Sequence, residues 1–198
     1  MSLESDIFSA LLTVYPSGLA DITSLSYNIN DKRDFILSTE KGFNFDLVHN
    51  LSKAYGAPQK EKTPDGLFLV NDILFFVEFK EGGHNKQDIR LKIHEAIVSL
   101  YMFTLMHMPS ITRDEFFSLK ISYAVIARPP AEVSEFQKAL AQAREKYQLE
   151  NLQGFILRKT NFSICPNITA KLIKKLTSGA ASFIEIQQRD GTKDKVIA

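Results

Sequence analysis

Residues 64–80 read Pro-Asp-Gly-Leu-Phe-Leu-Val-Asn-Asp-Ile-Leu-Phe-Phe-Val-Glu-Phe-Lys, and this stretch decides the fold. Two apolar runs, Leu67–Val70 and Ile73–Val77, flank Asn71-Asp72. Asn and Asp tolerate positive φ, so the spacing predicts a β-hairpin with a two-residue turn. The second run is unbroken, as in a strand buried on both faces. The register follows: Val70 faces Ile73, and each further pair sums to 143, which sets Asp65 opposite Glu78. Directly opposed residues carry their Cβ atoms roughly 4.5–5.5 Å apart. Lys80, two residues past Glu78, points to the same face. Charges at the end of an apolar strand are costly unless they are paired or ligate something. Facing carboxylates repel unless a cation lies between them, and hard oxygen donors suit Mg²⁺ or Mn²⁺.

Pro64-Asp65, twelve intervening residues, and then Glu78-Phe79-Lys80 resemble the signature of the PD-(D/E)xK nuclease superfamily. The resemblance covers about residues 40–128. It implies an α/β fold with a restriction-endonuclease-like core, a mixed central sheet flanked by helices. Residues 1–39 and 129–198 would be N- and C-terminal extensions of a single domain. It also implies metal-assisted hydrolysis of a phosphodiester. Asp65, Glu78 and the backbone carbonyl of Phe79 would hold Mg²⁺ or Mn²⁺, and Lys80 would orient or deprotonate the attacking water. The implied partner is nucleic acid, DNA ahead of RNA, and a homodimer stays open.

Working outward, residues 44–55 are expected to form a helix. Asn44 is a suitable N-cap, Phe43 and Val48 are spaced as a hydrophobic staple, and Gly56 then Pro58 end the run. Asp46 falls in its first turn, where a carboxylate complements the helix dipole. Gly42-Phe43-Asn44-Phe45-Asp46 is also similar to the Gly-x-x-Phe-Glu start of the Gly-x-x-Phe-Glu-x-x-Val helix of archaeal Holliday-junction resolvases. That likeness implies a third metal-site acid at Asp46, with Glu40 as the other candidate. A viral cap-snatching type of RNA endonuclease would add a histidine on this helix, and His49 keeps that variant open. In this superfamily residues 57–63 should hold the first core strand, although only Ala57 there is apolar.

After Lys80, Glu81-Gly82-Gly83-His84-Asn85 reads as a loop capped by Asn85. The longest helix is expected over 86–107, with Ile89, Ile93, Ala96, Ile97, Leu100 and Phe103 on its buried stripe. Lys86, Arg90 and His94 share another face at spacings of four. Lys86, Arg90 and the neighbouring Gln87 are the candidate substrate contacts, since Lys and Arg dominate phosphate recognition. Gln87 is followed four residues on by Leu91, which departs from the Gln-x-x-x-Tyr pattern of RecB-like relatives.

The remaining pattern predicts a helix over 4–15, a short strand around Leu25, Tyr27 and Ile29, and a strand over 119–128. Beyond it come a helix over 131–147, a strand over 154–158, a helix over 167–176, a strand over 182–188 and a frayed tail after Asp190. His107 is read as a dipole-complementing helix end, and Cys165 as a small core residue.

Composition sets limits on this reading. Lys and Arg number 24 against 23 Asp and Glu, a net charge of +1. A dedicated nucleic-acid coat carries a clear basic excess, so binding would have to come from a local face and a metal. A single cysteine allows no internal disulfide and fits a reducing compartment. No apolar run reaches membrane-spanning length and no signal peptide is evident, so the expected location is cytoplasmic. The near-neutral charge also keeps a second class in view, a non-catalytic interaction module on a nuclease-like fold.

Overall fold

The computed structural model describes residues 2–48, 61–81, 86–128, 134, 137, 149–154, 157–188 and 191–196. It is an α/β structure organised on a mixed six-stranded sheet. The hairpin at its centre has the expected register. Strand β4 (Gly66–Leu69) pairs antiparallel with β5 (Leu74–Lys80) through Gly66–Val77, Leu67–Phe76, Phe68–Phe75 and Leu69–Leu74. Asn71 and Asp72 both take positive φ, 49° and 56°. Val70 and Ile73 exchange both backbone hydrogen bonds at 3.0 Å, the geometry of a type I′ turn.

Strands β1 (Leu19–Asp21) and β3 (Lys41–Asn44) extend the sheet antiparallel beyond β4. On the other side β6 (Ile121–Ala127) runs parallel to β5, and β7 (Lys159–Ser163) parallel to β6. A parallel neighbour needs a crossover. Helix α3 (Lys86–His107) lies between β5 and β6 in the chain, with the bounds its periodicity predicts. A short helix α4 (Arg113–Phe117), closed by a Thr112–Glu115 capping box, precedes β6.

The two sheet faces bury separate apolar layers. Leu67, Leu74, Phe76, Tyr123 and Val125 meet α1 (Leu3–Val14) through Ile7 and Leu11, and α3 through Ile89, Ile93, Ala96 and Leu100. Phe68, Phe75, Val77, Ala124 and Ile126 face α5 (Pro166–Leu176), the single-turn helix α2 (Ile22–Leu25) and a small second sheet. That sheet joins β2 (Ile36–Leu37), β8 (Ile184–Gln187) and β9 (Lys193–Val196) in antiparallel order. Each fully buried Leu, Ile or Phe contributes about 1.5–3 kcal/mol, so these two layers hold the central strands rigidly.

Several expectations are corrected. Residues 44–48 are not the start of an α-helix: Asn44 ends β3, and Phe45–Leu47 form one 3-10 turn in which Asn44 Oδ1 accepts from the Asp46 amide at 3.1 Å. Residues 49–55 of the expected helix lie outside the described residues. The first core strand is β3, not 57–63; residues 61–63 are not strand, and 57–60 lie outside the described set. Gly42 belongs to this strand because the Phe68 ring packs where a Cβ would stand. Leu25 closes α2, and Tyr27 and Ile29 lie in a loop where a strand was expected. The strand expected over 154–158 is displaced to β7, with Gln153 and Leu157 forming only an isolated bridge. The tail is not frayed throughout, since β9 pairs with β8. Of the helix expected over 131–147, only Ser134 and Gln137 are described. Among the described residues no helix is long and apolar enough to cross a membrane.

Candidate active site

The C-terminal end of β5 gathers the charges that the sequence placed there. Phe76, Glu78 and Lys80 alternate with Phe75, Val77 and Phe79 along the strand, so the charged pair shares the face that α3 covers. Glu78 is completely buried. Its Oε1 is gripped by two ammonium groups, Lys80 Nζ from its own strand and Lys92 Nζ from α3 at 2.7 Å. Glu78 Oε2 is buried without a hydrogen-bond partner among the described residues.

Asp65 sits one residue before β4, where the hairpin register places it opposite Glu78. Its Oδ2 accepts from the Phe79 amide at 2.6 Å, and its carbonyl accepts from the Phe45 amide at 3.3 Å. The Lys80 carbonyl accepts from Arg128 N on the β6 side. Backbone groups alternate along a strand, so the Phe79 carbonyl points to the opposite edge, beyond the end of β4 and toward Asp65. The two carboxylates feel each other. Burial first, and then the charge of Glu78, push the Asp65 carboxyl well above its ordinary pKa, against the opposing pull of Lys92, the Phe79 amide and Lys80.

Lys92 is the functional candidate that sequence reading missed. Burial disfavours its ammonium form, but Glu78 and Asp65, with a smaller share from Asp46, outweigh that and raise its pKa. Lys92 stands three residues after Ile89 and four before Ala96, on the buried stripe of α3. A lysine on an apolar stripe was the available signal. Tyr123 of β6 completes the shell. Its hydroxyl is buried without a partner among the described residues. Burial, then Glu78, Asp65 and Asp88, hold its phenol well above the ordinary value, so it stays protonated.

Asp46 lies beside this centre and is exposed; the Thr63 hydroxyl donates to its Oδ1. Glu40 precedes β3 at the hairpin-turn end of the sheet, the end away from Asp65. Lys86 and Gln87 occupy, and Arg90 follows, the first turn of α3, with Gln87 exposed and the other two half-buried. On that turn Asp88 is paired instead with Lys62, which lowers the Asp88 pKa. His94 and His107 are exposed, the latter with its ring 4.7 Å from that of Phe103. His49 and His84 lie outside the described residues. Cys165 is half-buried and caps α5.

A second charged cluster fixes the strand end just past Lys80. The guanidinium of Arg128, fully buried after β6, donates to the carbonyls of Gln187 at 2.9 Å and Asp34 at 2.6 Å, pairs with Glu81, and lies 4.7 Å above the Phe35 ring. Glu81 also takes Arg33, with Nη2 at 2.7 Å and Nε at 3.2 Å. Burial works against the Glu81 carboxylate, yet Arg33, Asn28 and Arg128 together lower its pKa. A cleft of about 330 Å³ opens between the loop around Asn28 and the end of β5, with Asp65 and Lys80 among its lining.

Among the described residues no three His, Cys, Asp or Glu side chains cluster as a metal site. The donors that fit a hard divalent cation are Asp65, the unpartnered Glu78 Oε2 and the Phe79 carbonyl, two carboxylates and one neutral oxygen. Comparison with known proteins gives no match: no family model, no curated protein and no solved structure is significantly similar to this chain.

Proposed function

We propose that this protein is a Mg²⁺- or Mn²⁺-dependent phosphodiesterase acting on nucleic acid, with its site built from Asp65, Glu78 and Lys80. We further propose that its core belongs with the restriction-endonuclease-like folds. The mixed sheet, antiparallel through β5 and parallel to β6 across α3, supports that placement. The observation that carries the function is the convergence of a buried carboxylate with a free oxygen, a second carboxylate of raised pKa and a lysine, the last two lining one cleft. Carboxylates kept this close to each other are expensive without a cation to share.

A bound divalent ion would polarise the scissile phosphate and lower the pKa of its water. The chain supplies the rest. The Phe79 amide fixes the Asp65 carboxylate, and Lys92 from the helix side fixes Glu78. Lys80, at the cleft, orients the attacking water and stabilises charge on the phosphate. Asp46 lies close enough for its charge to act on Lys92, and it would add to the acidic shell.

The test pairs calorimetry with cleavage. Wild type should bind Mn²⁺ and cut an oligonucleotide, whereas Glu78→Ala should lose both and Lys80→Ala should lose cutting while remaining folded, with a reduced melting temperature because it gives up one of the two cations on Glu78. A folded Lys80→Ala that cuts at the wild-type rate refutes the assignment. One observation favours a second reading, binding without cleavage: Lys80 and Lys92 both neutralise Glu78, which leaves the centre balanced without metal. That reading expects nucleic-acid binding, no Mn²⁺ binding and no cutting.

A further inference from the structure

The N-terminal segment, expected from the sequence to be an extension of the core, forms one wall of the cleft over Asp65 and Lys80. Its loop is built and clamped. Asn28 and Arg33 form a β-bridge, and Asn28 Oδ1 accepts from the amides of Asn30 at 2.9 Å and Asp31 at 3.1 Å. Arg33 then ties the loop to Glu81, the residue after Lys80. The loop presents two large apolar side chains at the rim, Tyr27 at 43% and Ile29 at 80% exposure, although buried positions dominate the rest of the sheet face below. Phe79 supplies aromatic surface inside, its ring edge to face at 6.3 Å with that of the buried Phe35. Asn30 brings an amide group to the same wall, and Asn28, committed to the loop through Asp31 and the two amides, shapes it.

Planar apolar surface flanked by an amide, beside a centre that would cut phosphodiesters, matches one nucleoside attached to the scissile phosphate. The cleft volume is at the small end of ligand pockets, which suits a single residue of a polymer and not a wide groove. A base within a duplex is stacked on both sides and paired at its edge, so it reaches such a cleft only after leaving the stack. We infer that the Tyr27–Arg33 loop receives an unpaired nucleobase next to the scissile phosphate, which makes single-stranded or frayed nucleic acid the preferred substrate. This inference rests on the nuclease reading for its choice of ligand, and its test is kept separate from cutting.

Wild-type protein is titrated in EDTA, where cutting is blocked, against labelled single-stranded DNA, single-stranded RNA and a blunt hairpin duplex of matched composition, with anisotropy as the readout. The expected result is at least about tenfold tighter binding of one of the single strands than of the duplex. Base–aromatic stacking is sequence-tolerant, and its loss in Tyr27→Ala should weaken single-strand binding about five- to a hundredfold, with Tyr27→Phe close to wild type. Ile29→Ser, at a position with little folding role, should weaken it in the same direction. Equal or tighter duplex binding overturns the inference, as does unchanged single-strand binding in a folded Tyr27→Ala. Single-strand preference without Mn²⁺-dependent cutting would sink the nuclease reading and leave the cleft assignment standing. Lys80-dependent cutting with no effect of Tyr27→Ala or Ile29→Ser would do the reverse.

Discussion

Lys92→Met removes one of the two cations on Glu78 while keeping an aliphatic chain of similar length on the α3 stripe. Glu78 is fully buried and Lys92 Nζ is 2.7 Å from its Oε1. Stripping a buried ion of its whole partner set costs about 3–5 kcal/mol. Here Lys80 remains, so the loss is nearer that of one hydrogen bond to a charged group, about 1.5–3 kcal/mol. A domain of this size shifts about 2–4 °C per kcal/mol, which puts the expected fall in melting temperature at about 3–12 °C in EDTA. Saturating Mn²⁺ should shrink this deficit, because a divalent ion neutralises the same carboxylates. The assay is differential scanning fluorimetry of wild type and variant, with and without Mn²⁺. A variant as stable as wild type in EDTA would refute the role of Lys92 as the counter-charge of Glu78. A deficit that Mn²⁺ leaves unchanged would refute the shared-cation account of the centre.

Other perturbations reach different parts of the argument. Arg128→Met removes the fully buried guanidinium from Glu81 and two carbonyls and should cost about 3–5 kcal/mol, read by urea unfolding; a loss below about 1 kcal/mol would contradict the clamp. Asp65 has a folded pKa above its unfolded one, so its proton stabilises the fold fully below the ordinary carboxyl value of about 3.9, and that contribution is lost as pH rises through the elevated folded value. Asp65→Asn removes this dependence, so in EDTA its melting temperature should gain on wild type between pH 4 and pH 8, and a constant difference would refute the raised pKa. Glu78→Gln keeps the shape of the buried side chain but removes its charge, and should abolish Mn²⁺ binding by calorimetry; unchanged affinity would reject Glu78 as a ligand.

The central hairpin was legible because its signals are local. Asn71-Asp72 fixes the turn, the turn fixes the register, and the register alone aligns Asp65 with Glu78. Helix α3 was legible for the same reason, since its apolar stripe recurs from Ile89 to Phe103, about four turns. The segment around Asn44 misled because its cap and staple pattern is real but short: Asn44 does cap a turn, a 3-10 one, while Gly42 and Phe43 are taken into β3 by pairing with β4. Such short strands owe their existence to neighbours distant in sequence, as does β1, and single-sequence pattern does not carry that information. Lys92 is hidden from periodicity because its charge interrupts an otherwise apolar stripe. The loop around Tyr27 gave no signal, because its place beside Lys80 depends on Arg33 reaching Glu81, 48 residues away.

The most direct measurement is Mn²⁺-dependent cleavage by the purified chain on single-stranded DNA, duplex DNA, branched DNA and single-stranded RNA, with Lys80→Ala beside it. The account predicts cutting of at least one single-stranded substrate that disappears in EDTA and in the lysine variant. Cutting that persists in folded Lys80→Ala, or an absence of both cutting and Mn²⁺ binding in the wild type, would contradict it.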